Sequence, residues 1–237
     1  MTPTDGPSRD RDRQAMIRDQ LIARGVNDPR VLAAIAATPR ERFVPPDQAA
    51  SAYDDRALPI GADQTISQPY IVGLMTQMLD IQPTDSVLEI GAGSGYQTAI
   101  LARLARTVHA VERIGTLADQ ARRRLADLGL TNIHLHLGDG TLGPATPPAA
   151  TPATPAATPA WTLAGPFDRI LVAAAAPEIP QSLIDQLADP GRLIIPIGGL
   201  DLQTLTLLDR RRGRLQRRPI LDVRFVKLLG RHAWPCP

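Results

Sequence analysis

Glycines at 91, 93 and 95, directly following the run Val87-Leu88-Glu89-Ile90, mark the stretch best suited to hosting chemistry. Glycine removes side chains where backbone must come close to a ligand. A buried strand running through such a turn into a helix sets backbone N–H groups beside a crevice. Gly91-Ala92-Gly93-Ser94-Gly95, with helical spacing from Tyr96 to Arg106, has that order. A second apolar run, Val108 to Val111, ends in Glu112, a residue able to accept hydrogen bonds from ribose hydroxyls. A third, Ile133 to Leu137, ends in Gly138-Asp139-Gly140, whose acid could take an adenine amino group. The spacing is G-x-G-x-G, not the G-x-G-x-x-G of dinucleotide folds, and Glu89 before the turn would repel a pyrophosphate. S-adenosyl-L-methionine, which carries no phosphate, is the favoured cofactor. A strand, turn and helix of purely structural purpose is the alternative.

Alternating strands and helices around this turn imply an α/β fold with a mainly parallel twisted sheet covered on both faces. A strand over 170–176, a helix over 180–188 and a strand over 193–197 continue it, and two alternating segments, 204–208 and 219–229, predict a hairpin about Gly213. Upstream, apolar spacing predicts a helix over 14–23 closed by Gly25 and another from Asp28-Pro29 to about Ala37. Residues 39–69, broken by Pro45-Pro46 and Pro59, read as a long ordered loop of functional purpose. Ser67 then precedes Pro69 and the stripe Ile71, Val72, Met75, Met78, Leu79, so its plain structural reading is a helix N-cap. The expected organisation is effectively one domain. Residues 1–80 form a helical extension and substrate loop, and 81–237 form a Rossmann-like core. Residues 144–160, where Ala-Thr-Pro recurs, are expected to be a disordered surface insertion.

A chain of 237 residues with 43% apolar and 21% charged content suits one globular α/β domain. No run reaches membrane-spanning length and the polar start lacks a secretory apolar stretch, so a cytoplasmic location is the default expectation. Cys236, the only cysteine, excludes intrachain disulfides. Net charge is +2 and Lys227 is the only lysine. The arginines between 210 and 218 are read as decorating a solvated hairpin, with no aromatics among them to stack on bases, so no nucleic-acid partner is expected. His134 and His136 share one side of a strand, but no third ligand lies near in sequence, so no metal is expected.

Asp54-Asp55-Arg56-Ala57-Leu58-Pro59-Ile60-Gly61-Ala62-Asp63-Gln64-Thr65-Ile66-Ser67-Gln68-Pro69, followed by Val87-Leu88-Glu89-Ile90-Gly91-Ala92-Gly93-Ser94-Gly95-Tyr96, resembles the protein-L-isoaspartate O-methyltransferase family. The likeness extends through Glu41-Arg42-Phe43-Val44-Pro45, Gly138-Asp139-Gly140, Pro166-Phe167-Asp168-Arg169-Ile170 and Arg192-Leu193-Ile194-Ile195-Pro196, covering most of residues 14–229. It implies methyl transfer from S-adenosyl-L-methionine to the free α-carboxylate of L-isoaspartyl residues in damaged proteins and peptides. S-adenosyl-L-homocysteine would be released, and repair would proceed through a succinimide. By the same resemblance Ser67 is the catalytic candidate. Thr65, Ile66, Gln68, Glu89, Gly91, Ala92, Gly93, Ser94, Gly95, Glu112, Asp139, Gly140 and Gln203 form the cofactor set. The turn at 91–95 would take the methionine end, Glu112 the ribose, and Asp139 with Gly140 the adenine. A monomer is expected.

Asp63 departs from the family pattern, which places glycine there, and the extra carboxylate keeps a relative that methylates aspartate in a ribosomal peptide in view. A nucleic-acid methyltransferase is a further alternative. Base-amino methylation, however, uses Asn/Asp-Pro-Pro-Tyr/Phe where this chain has Ala174-Ala175-Ala176-Pro177.

Overall fold

The computed structural model describes residues 7–142 and 165–235. The predicted insertion at 144–160 and Cys236 lie outside the described residues.

The N-terminal part starts earlier than its sequence pattern suggests. Helix α1 (Pro7–Met16) passes into a π-helical turn, Ile17–Leu21, and a 3-10 turn, Ile22–Arg24, ended by Gly25 at φ 87°. Helix α2 (Pro29–Ala36) begins as expected, with the Asp28 carboxylate accepting from the Arg30 N–H at 2.8 Å. The predicted loop over 39–69 instead holds two 3-10 turns, Arg40–Phe43 and Pro46–Ser51, and the hairpin of β1 (Leu58–Gly61) and β2 (Gln64–Ile66). Pro59 reads as a breaker in sequence, but in a two-stranded ribbon it sits on an edge, where proline is tolerated. Ala62 and Asp63 turn the hairpin with φ of 51° and 55°, and Asp63 is exposed. A two-residue turn with both φ positive suits glycine, asparagine or aspartate, so Asp63 serves the turn and faces solvent.

Helix α3 (Pro69–Leu79) has Gln68 as its N-cap, so Ser67 stands outside the helix and the capping reading of Ser67 fails. Then follow β3 (Ser86–Ile90), α4 (Tyr96–Ala102), β4 (Thr107–Glu112), α5 (Gly115–Asp127), β5 (Ile133–Leu137), β6 (Phe167–Val172), α6 (Gln181–Asp185), β7 (Leu187–Gly198), β8 (Gln203–Arg211) and β9 (Arg214–Val223). Seven of these strands form one sheet in the order β5-β4-β3-β6-β7-β8-β9. The first five are parallel, and β7, β8 and β9 close it as an antiparallel meander.

Strand alternation splits the core into two layers. Val87, Val108, Leu171 and Ile194 face the side covered by α2, α3, α4 and α5, while Leu88, Ile90, Ile170, Val172, Leu193 and Ile195 face the side of α6. Burial on both faces explains why these strands read as continuous apolar runs. The chain builds outward from β3 to β5, then reverses to the other side of β3 with β6. A ligand crevice is expected at that reversal, outside the carboxyl ends of the strands.

Candidate active site

The crevice is there. A narrow cleft of about 80 Å³ is lined by Gly91 and Gly93 after β3, Glu112 and Arg113 after β4, Gly138 and Gly140 after β5, and Ala173 and Ala174 after β6. Thr65, Leu228 and Leu229 also line it. The cleft adjoins a cavity of about 380 Å³ lined by Ser67, Gln68, Arg24, Val223, Arg224 and Phe225, among others. Thr65, Ala173 and Val226 belong to both walls.

The glycine turn works differently from the sequence expectation. Its first three N–H groups are taken by the protein itself: Gly91 and Ala92 donate to the Val111 carbonyl at 2.9 and 3.2 Å, and Gly93 donates to Glu112 Oε2 at 2.8 Å. Ser94 Oγ accepts from the Tyr96 N–H at 3.3 Å. The turn therefore contributes space. Gly91 and Gly93 hold φ of 87° and 54° and present no side chain to the cleft, whereas a Cβ on Gly140 would lie 2.6 Å from Ile90. Gly95 serves packing, since a Cβ there would meet Ala121 of α5 at 3.2 Å.

Glu112 is the acid that fits a cofactor. It lines the cleft and is 5% exposed, and its two oxygens accept from the Gly93 and Ile114 N–H groups at 2.8 and 2.9 Å. A carboxylate offers about four lone-pair directions, so two remain for the hydroxyls of a ribose.

Glu89 plays another part. It is fully buried on the Val87 side of β3, under α4, where the Thr98 hydroxyl stands near its carboxyl without forming a well-aligned hydrogen bond. Burial pushes its carboxyl up to about 8, with the Glu112 charge adding to the rise. A mostly neutral, buried acid at pH 7 repels no phosphate, so Glu89 does not select against a pyrophosphate as its position in sequence suggests. Native Glu89 holds a proton that the unfolded chain releases near 4.5. Its stabilising effect is thus complete below that value and lost as pH rises through about 8. The Glu89→Gln variant is expected to flatten the fall in Tm between pH 5 and 8, a difference worth up to about 5 kcal/mol across the window. Identical pH profiles for the two proteins would show that Glu89 is ionised in the fold.

Asp139 and Gln203, expected at the cofactor, bond to neighbouring segments of the chain. Asp139 does not line the cleft: Oδ1 accepts from the Thr141 N–H and hydroxyl at 2.9 and 2.7 Å, and Oδ2 accepts from the Arg231 N–H at 2.9 Å. It pins the segment that carries Leu228 and Leu229 against the cleft. Gln203 is 2% exposed and clamps the connection between β7 and β8, donating to Gly199 O at 2.6 Å and accepting from the Phe225 N–H at 2.8 Å. Ile66, Ala92 and Ser94 are buried behind the site and line neither space, and Gln68 faces the larger cavity, donating to Asp55 O at 3.0 Å.

Arg40 is the residue that sequence reasoning missed. It is fully buried, its Nε donates to Ala52 O at 2.8 Å, and its Nη2 donates to Ser67 O at 2.7 Å. The guanidinium carbon lies 5.0 Å from the centre of the Tyr96 ring. Burial lowers Arg40 to about 10, so it remains a cation at neutral pH. The available signal was the 3-10 spacing, which puts Arg40 and Phe43 on one face.

The histidines gain a third member from another strand. His109 of β4 stacks on His134 at 4.7 Å and His136 at 5.7 Å between ring centres. Among the described residues, no group of three or more histidine, cysteine or acidic side chains is placed to hold a metal. His109 is pushed down to about 4, chiefly by burial, so its effect runs opposite to that of Glu89: stability present above about 6.5 is lost as pH falls through about 4.

A ligand crevice at the sheet's reversal point, a side-chain-free glycine turn and a buried acid ending the neighbouring strand define a Rossmann-like fold with a site suited to a nucleoside cofactor. The family model described as protein-L-isoaspartate(D-aspartate) O-methyltransferase matches residues 11–233. A protein-L-isoaspartate O-methyltransferase of Methanoregula boonei is 50% identical over 223 residues, covering 94% of this chain and 95% of that protein. One of Roseiflexus sp. is 49% identical with 94% of each covered. A solved protein-L-isoaspartate O-methyltransferase superposes with a TM-score of 0.76 at 25% identity, over 93% of this chain and 67% of that one. The chain belongs to the protein-L-isoaspartate(D-aspartate) O-methyltransferase family.

Proposed function

We propose that Ser67 orients the free α-carboxylate of an L-isoaspartyl residue in the larger cavity, with the cofactor held across the narrow cleft by Glu112 and the glycine turn. The carrying observation is that Ser67 and the cleft are joined through Thr65, which lines both spaces. S-adenosyl-L-methionine supplies an activated methyl group when bound. A carboxylate is already ionised near pH 7, so no general base is needed, and alignment and exclusion of water supply the rate. The Ser67 hydroxyl bonds to no described residue and is available to donate to one carboxylate oxygen without repelling it. Arg40 fixes the Ser67 peptide from behind.

The assay is transfer of labelled methyl to an isoaspartyl peptide beside its aspartyl counterpart. Base-labile ester on the isoaspartyl peptide alone is expected. Ser67→Ala should lower kcat/KM by about 10- to 100-fold, the worth of one hydrogen bond to a charged group, while affinity for S-adenosyl-L-homocysteine stays unchanged. An equal loss of cofactor affinity would make Ser67 a structural residue.

Among the described residues no helix is long and apolar enough to cross a membrane. A cytoplasmic monomer, with the extension at 1–80 serving the substrate side and the core at 81–237 the cofactor side, completes the reading.

A further inference from the structure

The charge on this molecule is unevenly spread. Net charge is +2, and the six arginines between 210 and 218 contribute +6, so the rest of the chain carries −4. No acid interrupts that stretch. Arg211, Arg212, Arg214, Arg217 and Arg218 are all exposed, and none of their guanidinium groups has a hydrogen-bond or ion-pair partner among the described residues. They occupy the turn between β8 and β9 and the first half of β9, which is one edge of the sheet. The opposite edge, β5, reads Ile-His-Leu-His-Leu and carries no such charge.

Edges are commonly protected against pairing by charge, proline or a bulge. Here Pro219 and the register shift beside Leu205 and Thr206 already do that, so protection alone does not require five unpaired cations. The second half of β9 supplies what the first half lacks: Leu221, Asp222 and Val223, with Arg224 and Phe225 beyond them, wall the cavity that holds Ser67. One strand thus connects the basic edge to the substrate cavity. At roughly 3.4 Å per residue, Arg218 lies about 10 Å and Arg214 about 25 Å along the strand from Leu221.

We propose that the arginine edge of β9 is an exosite for acidic segments of damaged proteins, holding residues about three to nine positions from the isoaspartyl residue in the cavity. The inference rests on that cavity being the substrate site. Flexible polypeptide segments are low in hydrophobicity and often highly charged, and those rich in glutamate complement this edge, while the absence of aromatics between the arginines leaves no platform on which single-stranded nucleic acid would stack.

The test uses the full chain and isoaspartyl peptides carrying six glutamates or six serines on either flank. The glutamate peptide is expected to show a KM about 10-fold lower at low salt, with kcat unchanged. The advantage should vanish near 0.5 M salt and in an Arg214→Gln/Arg217→Gln/Arg218→Gln variant. That variant should turn over the untailed peptide as the wild type does. Equal KM values for the two tails, or an advantage that survives in the variant, would overturn the exosite alone. Failure to methylate the untailed peptide would strike the substrate reading itself. Duplex DNA that displaces the labelled glutamate peptide at lower concentration than the unlabelled peptide does would assign the edge to nucleic acid instead.

Discussion

Glu112→Ala is expected to lower affinity for S-adenosyl-L-homocysteine at least about 100-fold and to destabilise the fold by about 2 kcal/mol. The carboxylate holds the Gly93 and Ile114 N–H groups at 2.8 and 2.9 Å in a buried setting. Truncation orphans two donors at about 1–3 kcal/mol each, partly relieved by water entering the cleft, and removes charged acceptors for the ribose. A factor of 100 corresponds to about 2.7 kcal/mol, which is one to two hydrogen bonds to a charged group. Glu112→Gln should fall between, since its amide offers an oxygen to only one of the two N–H groups and turns a donor on the other. Titration calorimetry measures the affinity and urea unfolding the stability. If Glu112→Ala binds within threefold of wild type, the acid belongs to the turn and not to the cofactor.

Arg40→Ala should cost about 3–5 kcal/mol in urea unfolding. The guanidinium bridges the carbonyls of Ala52 and Ser67, which are 15 residues apart, from a fully buried position. Its removal leaves two carbonyls without a donor and a cavity the length of the side chain. Arg40→Lys should recover only part of the loss, because one ammonium on a flexible stem does not reproduce a planar fork. With the Ser67 peptide released, kcat should fall further than stability alone explains, while S-adenosyl-L-homocysteine affinity holds. A loss below about 1 kcal/mol would show that water replaces the guanidinium at no cost to the loop.

Much of this site is legible wherever chemistry follows from residues close in sequence. The turn at 91–95 and Glu112 are separated by one helix and one strand, and the Thr65-Ile66-Ser67 stretch carries its own signature. Burial decided by distant partners is not legible in the same way. Arg40 stands in Arg40-Glu41-Arg42, a run that looks like surface, yet Tyr96 and the Ser67 carbonyl enclose it. Asp139 has the strand-end position of an adenine acceptor, but Arg231, 92 residues away, takes one of its oxygens. Glu89 looks charged until α4 covers it. The β1–β2 hairpin was hidden by Pro59, although Leu58 and Ile60 alternate correctly for a ribbon with one buried side.

The walls of the two spaces also differ in how far apart they lie along the chain. The floor of the cofactor cleft, from the glycine turn to Glu112, comes from residues close in sequence, whereas the substrate cavity joins Ser67 to Val223, 156 positions away, and the outer walls of the cleft likewise join Thr65 to Leu229. Gly91 and Glu112 are 21 apart, and closing the longer loop costs about 2 kcal/mol more in chain entropy. Contacts of such long range slow folding. A nascent chain that has not yet supplied residues 221–229 therefore holds the glycine turn and Glu112 but lacks walls of both the nucleoside cleft and the substrate pocket, so it has no complete site from which to methylate anything.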